Sequence, residues 1–220
     1  VDVMVSVGNN FFYTLSLPCS LWFFDKSKRE ENRDKVLFID ARKYYTVVDR
    51  TLNEWTEWQL LNLQAIVHLY RGETDKYQAL LEKYNHDISN AVNSISEEAQ
   101  LFASLLDDET AGQFNSSLAW LGSPWNNYGE LSKNLNGQIE QTKSCVKLAE
   151  ERLKKRELKA MRLAGDRFCN VLEEILTIIE EYNWLTEKFG NGEYHDIAGL
   201  CKIATLDEIE EKNYSLTPGA

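Results

Sequence analysis

Between Tyr77 and Phe189 the apolar residues return at every third and fourth position, and a run of that period and length has few outcomes other than long helices. Tyr77, Leu81, Tyr84, Ile88, Ala91, Ile95, Ala99, Phe102 and Leu106 form one seam. A breaker segment follows, with Gly112, Gly122, Pro124 and Gly129 around AWLGSPW. The seam resumes at Leu135, Ile139, Thr142, Val146, Ala149, Leu153, Ala160 and Leu163, interrupted only by Arg156. Past Gly165 it shifts phase and continues through Phe168, Val171, Ile175, Ile178, Tyr182, Leu185 and Phe189. Two such seams joined by a breaker predict a long antiparallel α-helical hairpin over residues 73–189, of coiled-coil character. Leu172, Leu176 and Ile179 widen the face of its last stretch beyond what one antiparallel helix covers. Phe168, Ile175, Ile179 and Tyr182 are therefore expected to be covered either within a self-contained bundle or by the helices of another chain, as a partner-helix surface.

The flanks read differently. VDVMVSV alternates, LPCSLWFF is a nearly unbroken apolar run and KVLFIDA is a short one closed by an acid, which together predict strands, the last two buried on both faces. DKSKREENRDK between them is expected to be a solvated loop. Thr56 with Gln59 spells a capping box ahead of Leu60, Leu61, Leu63, Ile66, Val67 and Tyr70, a helix that stops at Gly72. Gly190 and Gly192 close the long helical stretch, and Thr205 with Glu208 spells a second capping box for a short helix, TLDEIEEK. The expected organisation is residues 1–72 as strands and a helix, 73–189 as the hairpin, and 190–220 as a returning tail, mostly α overall.

Four dispersed cysteines without a CxxC pair and three histidines give no zinc-site spacing and no disulfide framework, so free thiols in a reducing, cytoplasmic compartment and no metal are expected. No window is apolar enough to span a membrane. The opening VDVMVSVGNN lacks a signal peptide's basic region and cleavage site and starts as a strand already under way, so the chain is expected to be a piece of a longer protein. The formal charge of −11 is unevenly placed: residues 1–72 hold nine Lys/Arg and nine Asp/Glu, and the deficit lies wholly beyond them. An acidic surface suits nucleic-acid backbone poorly, which leaves the neutral first third as the expected place for any such contact.

No catalytic constellation assembles from these residues: GxSxG, HExxH and a phosphate loop are all missing. Asp40, ending an apolar strand, stands where open α/β sheets bind ligands, and its plainer reading is a pair with Arg42. His68 reads as a packing or surface residue rather than a base. Phe11, Phe12 and Tyr13 ahead of Pro18 are either core or a stacking platform for a base taken out of a duplex.

FFYTLSLPCSLWFFDK (11–26), KVLFIDARK (35–43), VVDRT (47–51), WTEWQLLNLQAIVHLYRGE (55–73) and YHDIAGLCKIATLDEIEEKNYSLTPGA (194–220) together resemble the later part of the methylase subunit of type I restriction-modification systems. The resemblance covers residues 1–73 and 194–220, with the helical stretch between them as an insertion. It implies a C-terminal fragment of a DNA adenine-N6 methyltransferase: an α/β remnant, the end of a Rossmann-like sheet, carrying the helical hairpin. The implied cofactor of the full-length parent is S-adenosylmethionine, with none expected to bind here. The implied partners are DNA, a specificity subunit and a restriction subunit. The family's Gly-rich cofactor turn and Asn-Pro-Pro-Phe/Tyr motif have no counterpart in this sequence, so no catalytic or cofactor-binding residue can be carried over. The aromatic that stacks on the flipped adenine is implied to be Phe12, with Tyr13 as alternate. A competing reading makes the chain a non-catalytic helical module that assembles with the specificity subunit.

Overall fold

The computed structural model describes residues 1–12, 16–150 and 152–216. Two compact units divide it, Val1–Glu82 with Asn183–Ala220 and Lys83–Tyr182.

The first unit is built on a four-stranded mixed sheet of β1 (Val3–Val7), β2 (Cys19–Phe23), β3 (Lys35–Ala41) and β6 (Cys201–Thr205), in the order β2-β1-β3-β6. β1 and β3 run parallel with Val3 opposite Leu37 and Val7 opposite Ala41, while β2 and β6 are antiparallel to their neighbours. All five residues of β1 are buried, Ser6 included, because it is a central strand covered on both faces. Met4, Val36 and Ala204 pack with Ile209 of α6 (Leu206–Glu211) on one face. Val3, Val5, Val7, Leu37, Ile39 and Ala41 fill the other, with α1 (Glu57–Tyr70) packed against β3. Both predicted capping boxes form: Gln59 N–H donates to Thr56 Oγ1 at 3.2 Å and Glu208 N–H to Thr205 Oγ1 at 3.2 Å, each with the reciprocal side-chain bond. A short hairpin of β4 (Thr46–Val47) and β5 (Asn53–Glu54) connects β3 to α1.

One strand departs from its expected burial. LPCSLWFF reads as a strand buried on both faces, yet β2 is the edge of the sheet and lies open, with Trp22 49%, Phe23 50% and the following Phe24 72% exposed. Its apolar content is that of an interior strand, and among the described residues no element covers it.

The second unit is a bundle of α3 (Asp108–Ser117), α4 (Tyr128–Glu150) and most of α2 (Thr74–Ala103) and α5 (Lys155–Phe189). The expected two-armed hairpin is corrected here: its second arm is two helices, α4 ending at Glu150 and α5 starting at Lys155. They lie antiparallel, with Arg162 Nη2 2.6 Å from Glu150 Oε1 and Gly165 against Val146. No Gly or Pro marks this reversal; Glu157 Oε2 accepts from the Lys154 N–H at 3.2 Å, and Arg156, the one residue out of seam, is the visible trace. Gly165 ends nothing. It sits inside α5, where an added Cβ would stand 3.1 Å from Val146 Cγ2 and 3.2 Å from Phe102 Cε2, so its small size lets helices close. Phe102, Phe114 and Phe168 meet at the centre with ring centroids 5.0–6.4 Å apart.

The unit boundaries fall inside α2 and α5 rather than at residues 72 and 189. The first turns of α2 belong with the sheet unit because Tyr77, wholly buried, donates its hydroxyl to Gly190 O at 2.9 Å, and Gln78 Nε2 donates to Asn191 O at 2.8 Å.

Candidate functional site

β1 and β3 end side by side, and the loops leaving their carboxyl ends form the candidate site. Gly8 follows β1 at a point where a Cβ would fall 2.8 Å from Arg42 O, so only glycine lets the two strand exits approach this closely. Asn10 then takes a left-handed backbone (φ 63°), which asparagine tolerates better than most residues. Buried Asn53, from β5, holds this loop: its N–H donates to Asn10 O at 2.7 Å and its Nδ2 to Asn9 O at 2.9 Å.

The pinned loop delivers two phenylalanines to different environments. Phe11 packs between Trp55 (centroids 4.7 Å apart) and Tyr45 (5.8 Å), and Trp55 Nε1 is fixed by donating to Tyr44 O at 2.6 Å. Phe12, next in the chain, leaves 48% of its surface in solvent. Tyr13 lies outside the described residues.

Asp40 takes its plainer reading. Arg42 donates to both its oxygens, from Nε at 2.8 Å and Nη2 at 2.6 Å, and this guanidinium holds the Asp40 carboxyl below its usual range. His68 is likewise in an ion cluster, with Nδ1 2.7 Å from Glu73 Oε2; Lys76 and His68 together hold Glu73 down at about 2. Among the described residues no group of three or more His, Cys, Asp or Glu is placed to hold a metal ion. Cys145, Cys169 and Cys201 are buried thiols, and desolvation raises each above the ordinary value.

The expected partner-helix surface is not a surface. Phe168, Ile175 and Ile179 are 0–1% exposed in the core that α5 shares with α2, α3 and α4. Tyr182 is half-buried, packed edge-on against Tyr84 and Tyr128. The wide apolar face is covered by its own unit, because the split of the second arm supplies the extra helix.

Several residues that build the first unit gave no signal in the sequence. Asp2, almost wholly buried, accepts from Arg71 Nη2 at 2.6 Å and from the Tyr70 hydroxyl at 3.1 Å, with Lys28 Nζ 3.6 Å away. Burial and the Asp2 charge push the Tyr70 phenol up. This cluster ties the end of α1 to the start of β1. Asn53 works in the same way at the other end of the strand. Each pairing spans at least 26 residues and has no local pattern.

Residues 1–99 match the family described as N-6 DNA methylase. The matched stretch contains the whole Phe12 loop and runs into α2, while residues 194–220, also part of the resemblance, lie outside it. The methylase subunit of the type I restriction enzyme MjaIX from Methanocaldococcus jannaschii is 43% identical over 73 residues, which are 33% of this chain and 13% of the relative. The methylase subunit of the type I restriction enzyme HindI from Haemophilus influenzae is 28% identical over 78 residues, 36% of this chain and 17% of the relative. The chain thus spans less than a fifth of the length of either relative. No solved structure matches it.

Proposed function

We propose that this N-6 methylase chain is the C-terminal part of the modification subunit of a type I restriction-modification enzyme. The full-length protein would transfer a methyl group from S-adenosylmethionine to adenine N6 in DNA, in the cytoplasm, in assembly with a specificity and a restriction subunit. The observation that carries this reading is Phe12, a half-exposed ring on a clamped loop at the carboxyl ends of two parallel strands, beside a phenylalanine that packs away. A ring face held there can stack on an extruded base whatever its sequence context. The open face of β2 supports the fragment reading, since an edge strand of interior composition is what remains when a sheet continues beyond the segment in hand.

The described residues do not form a holder for the methyl donor. The turn after β1 has a single glycine whose open side is filled by the Arg42 carbonyl, and the carboxylate ending β3 is engaged by Arg42 on both oxygens. Cofactor binding and the grip on the target amine are therefore assigned to other segments of the full-length protein, and this chain alone is expected to bind no S-adenosylmethionine. Calorimetry checks that expectation, and micromolar affinity would overturn it.

The test of the site is Phe12→Ala in the full-length methylase. Loss of stacking, worth about 1–3 kcal/mol per base, should lower methylation at a subsaturating DNA concentration by roughly one to two orders of magnitude while the melting temperature holds. An insoluble or strongly destabilised variant would make Phe12 a packing residue and remove the assignment.

A further inference from the structure

The charge of the bundle is sorted. Residues 83–142 and 168–182 carry two Lys/Arg against twelve Asp/Glu, whereas residues 143–167 carry nine Lys/Arg against four Asp/Glu. The nine are Lys143, Lys147, Arg152, Lys154, Lys155, Arg156, Lys159, Arg162 and Arg167, and every one is exposed. An acidic total concealed a basic corner.

The fold gathers these cations. The reversal between Glu150 and Lys155 lays the last turns of α4 beside the first turns of α5, as the 2.6 Å contact of Arg162 with Glu150 and the packing of Gly165 on Val146 show. On α5, Met161, Phe168 and Leu172 face the core, while Lys155, Arg156, Lys159, Arg162 and Arg167 stand on the solvent side. Thirteen residues of helix at a rise of about 1.5 Å each make this face roughly 18 Å long.

Solvated helix faces usually carry their charges as i,i+4 pairs of opposite sign. Here three cations have ion pairs: Lys143 with Glu140 and Arg152 with Asp107, both at 3.9 Å, and Arg162 with Glu150 at 2.6 Å. Lys147, Lys154, Lys155, Arg156, Lys159 and Arg167 have none among the described residues. No described residue pairs with these six, and a polyanion would relieve their mutual repulsion.

We infer that the corner between α4 and α5 is a sequence-independent contact for the phosphate backbone of duplex DNA. The choice of DNA among polyanions rests on the methylase reading above. The charge geometry agrees, since a duplex presents about one negative charge per 1.7 Å and four of the nine cations are arginines, which grip phosphate with two donors. Two exposed leucines, Leu148 and Leu163, and no exposed aromatic accompany the patch, which is too little apolar surface for a helix lying in a membrane interface. The acidic remainder of the bundle repels DNA and confines the contact to this corner.

The experiment measures binding of the full chain to a duplex of arbitrary sequence, about 20 base pairs long, by fluorescence anisotropy between about 50 and 200 mM salt. The unmodified chain should bind with steep salt dependence. The quadruple variant Lys154→Gln, Lys155→Gln, Arg156→Gln, Lys159→Gln should bind at least about tenfold more weakly at the low-salt end, and its log–log salt slope should fall by up to about 3.6, at roughly 0.9 for each phosphate no longer neutralised. Glu97→Gln with Glu98→Gln, in the acidic part of α2, should not weaken binding. Circular dichroism establishes that the variants are folded; should the quadruple variant unfold, Lys147→Gln with Arg167→Gln must show a proportionate weakening. An unmodified chain that does not bind at low salt, or variants that bind equally well, would overturn the inference. So would binding to vesicles of phosphatidylcholine and phosphatidylserine without binding to duplex. Because binding is read on the chain itself, a failure here leaves the methylase reading standing, and a full-length protein that binds but does not methylate adenine removes that reading alone.

Discussion

Strand β2 and the middle of α5 are about equally apolar and meet opposite fates. Leu21, Trp22 and Phe23 of β2 lie 40–50% exposed, whereas Phe168, Leu172, Ile175 and Ile179 of α5 are at most 1% exposed. The difference lies in their neighbours. α5 has three helices of its own unit against its apolar face, while β2 has β1 on one edge and no described element over its faces. The bundle thus covers its own apolar face, and the sheet leaves an apolar edge strand open. That contrast is what the proposed reading, an insertion with its own core in a larger domain, expects.

Ile175→Glu presses hardest on the finished side. A carboxylate placed where Ile175 is 1% exposed has no partner, and the cost should be about 4 kcal/mol or more, enough to abolish the cooperative thermal transition of the bundle. A folded variant that merely loses an association with another protein would show the face to be external. Gly165→Val tests the close approach of helices in the same core. The new side chain meets Val146 and Phe102 at once, and overpacking should cost about 1–3 kcal/mol in urea denaturation. A neutral result would mean that α4 and α5 do not pack as described.

On the sheet side the effects are smaller. Glu73 is held at about 2, below its ordinary 4.5, by Lys76 and His68, so its contribution to stability is complete above about pH 4.5 and is lost as the pH falls toward 2. The Lys76 side chain is half in water, and screening there limits the contribution to about 1 kcal/mol. Glu73→Gln should flatten the acid limb of the stability profile by that amount, and an unchanged limb would dismiss the cluster as a stabilising feature. Trp22→Gln should change the stability of this chain least, within about 0.5 kcal/mol, since half the side chain is already in water. Its clearer effect should be less self-association in sedimentation, because an exposed apolar edge is a template for pairing.

What could be read in advance follows from the same contrast. Local patterns were legible: both capping boxes, the pairing of Asp40 with Arg42, and the helical period of residues 77–189. Features decided by neighbours were not. The run LPCSLWFF carries an interior strand's composition and no sign of its edge position. The reversal after Glu150 has no glycine or proline to announce it, and Gly165, where the seam shifts phase, is a packing contact. At the candidate site Phe12 was reached through family resemblance. The residues that hold its loop, Gly8 and Asn53, were invisible because their partners lie 34 to 44 residues away along the chain.

Native-state hydrogen exchange on this chain tests the contrast most directly. Amides of β1, of β3 and of the buried stretches of α2 and α5 should exchange only through global unfolding of their units. Those of β2 from Cys19 to Phe23 that do not bond to β1 should exchange orders of magnitude faster, and the same amides should become protected in the full-length methylase. Uniformly slow exchange across β2 in the isolated chain would contradict the account, since it would mean that the sheet is already complete without any further strand.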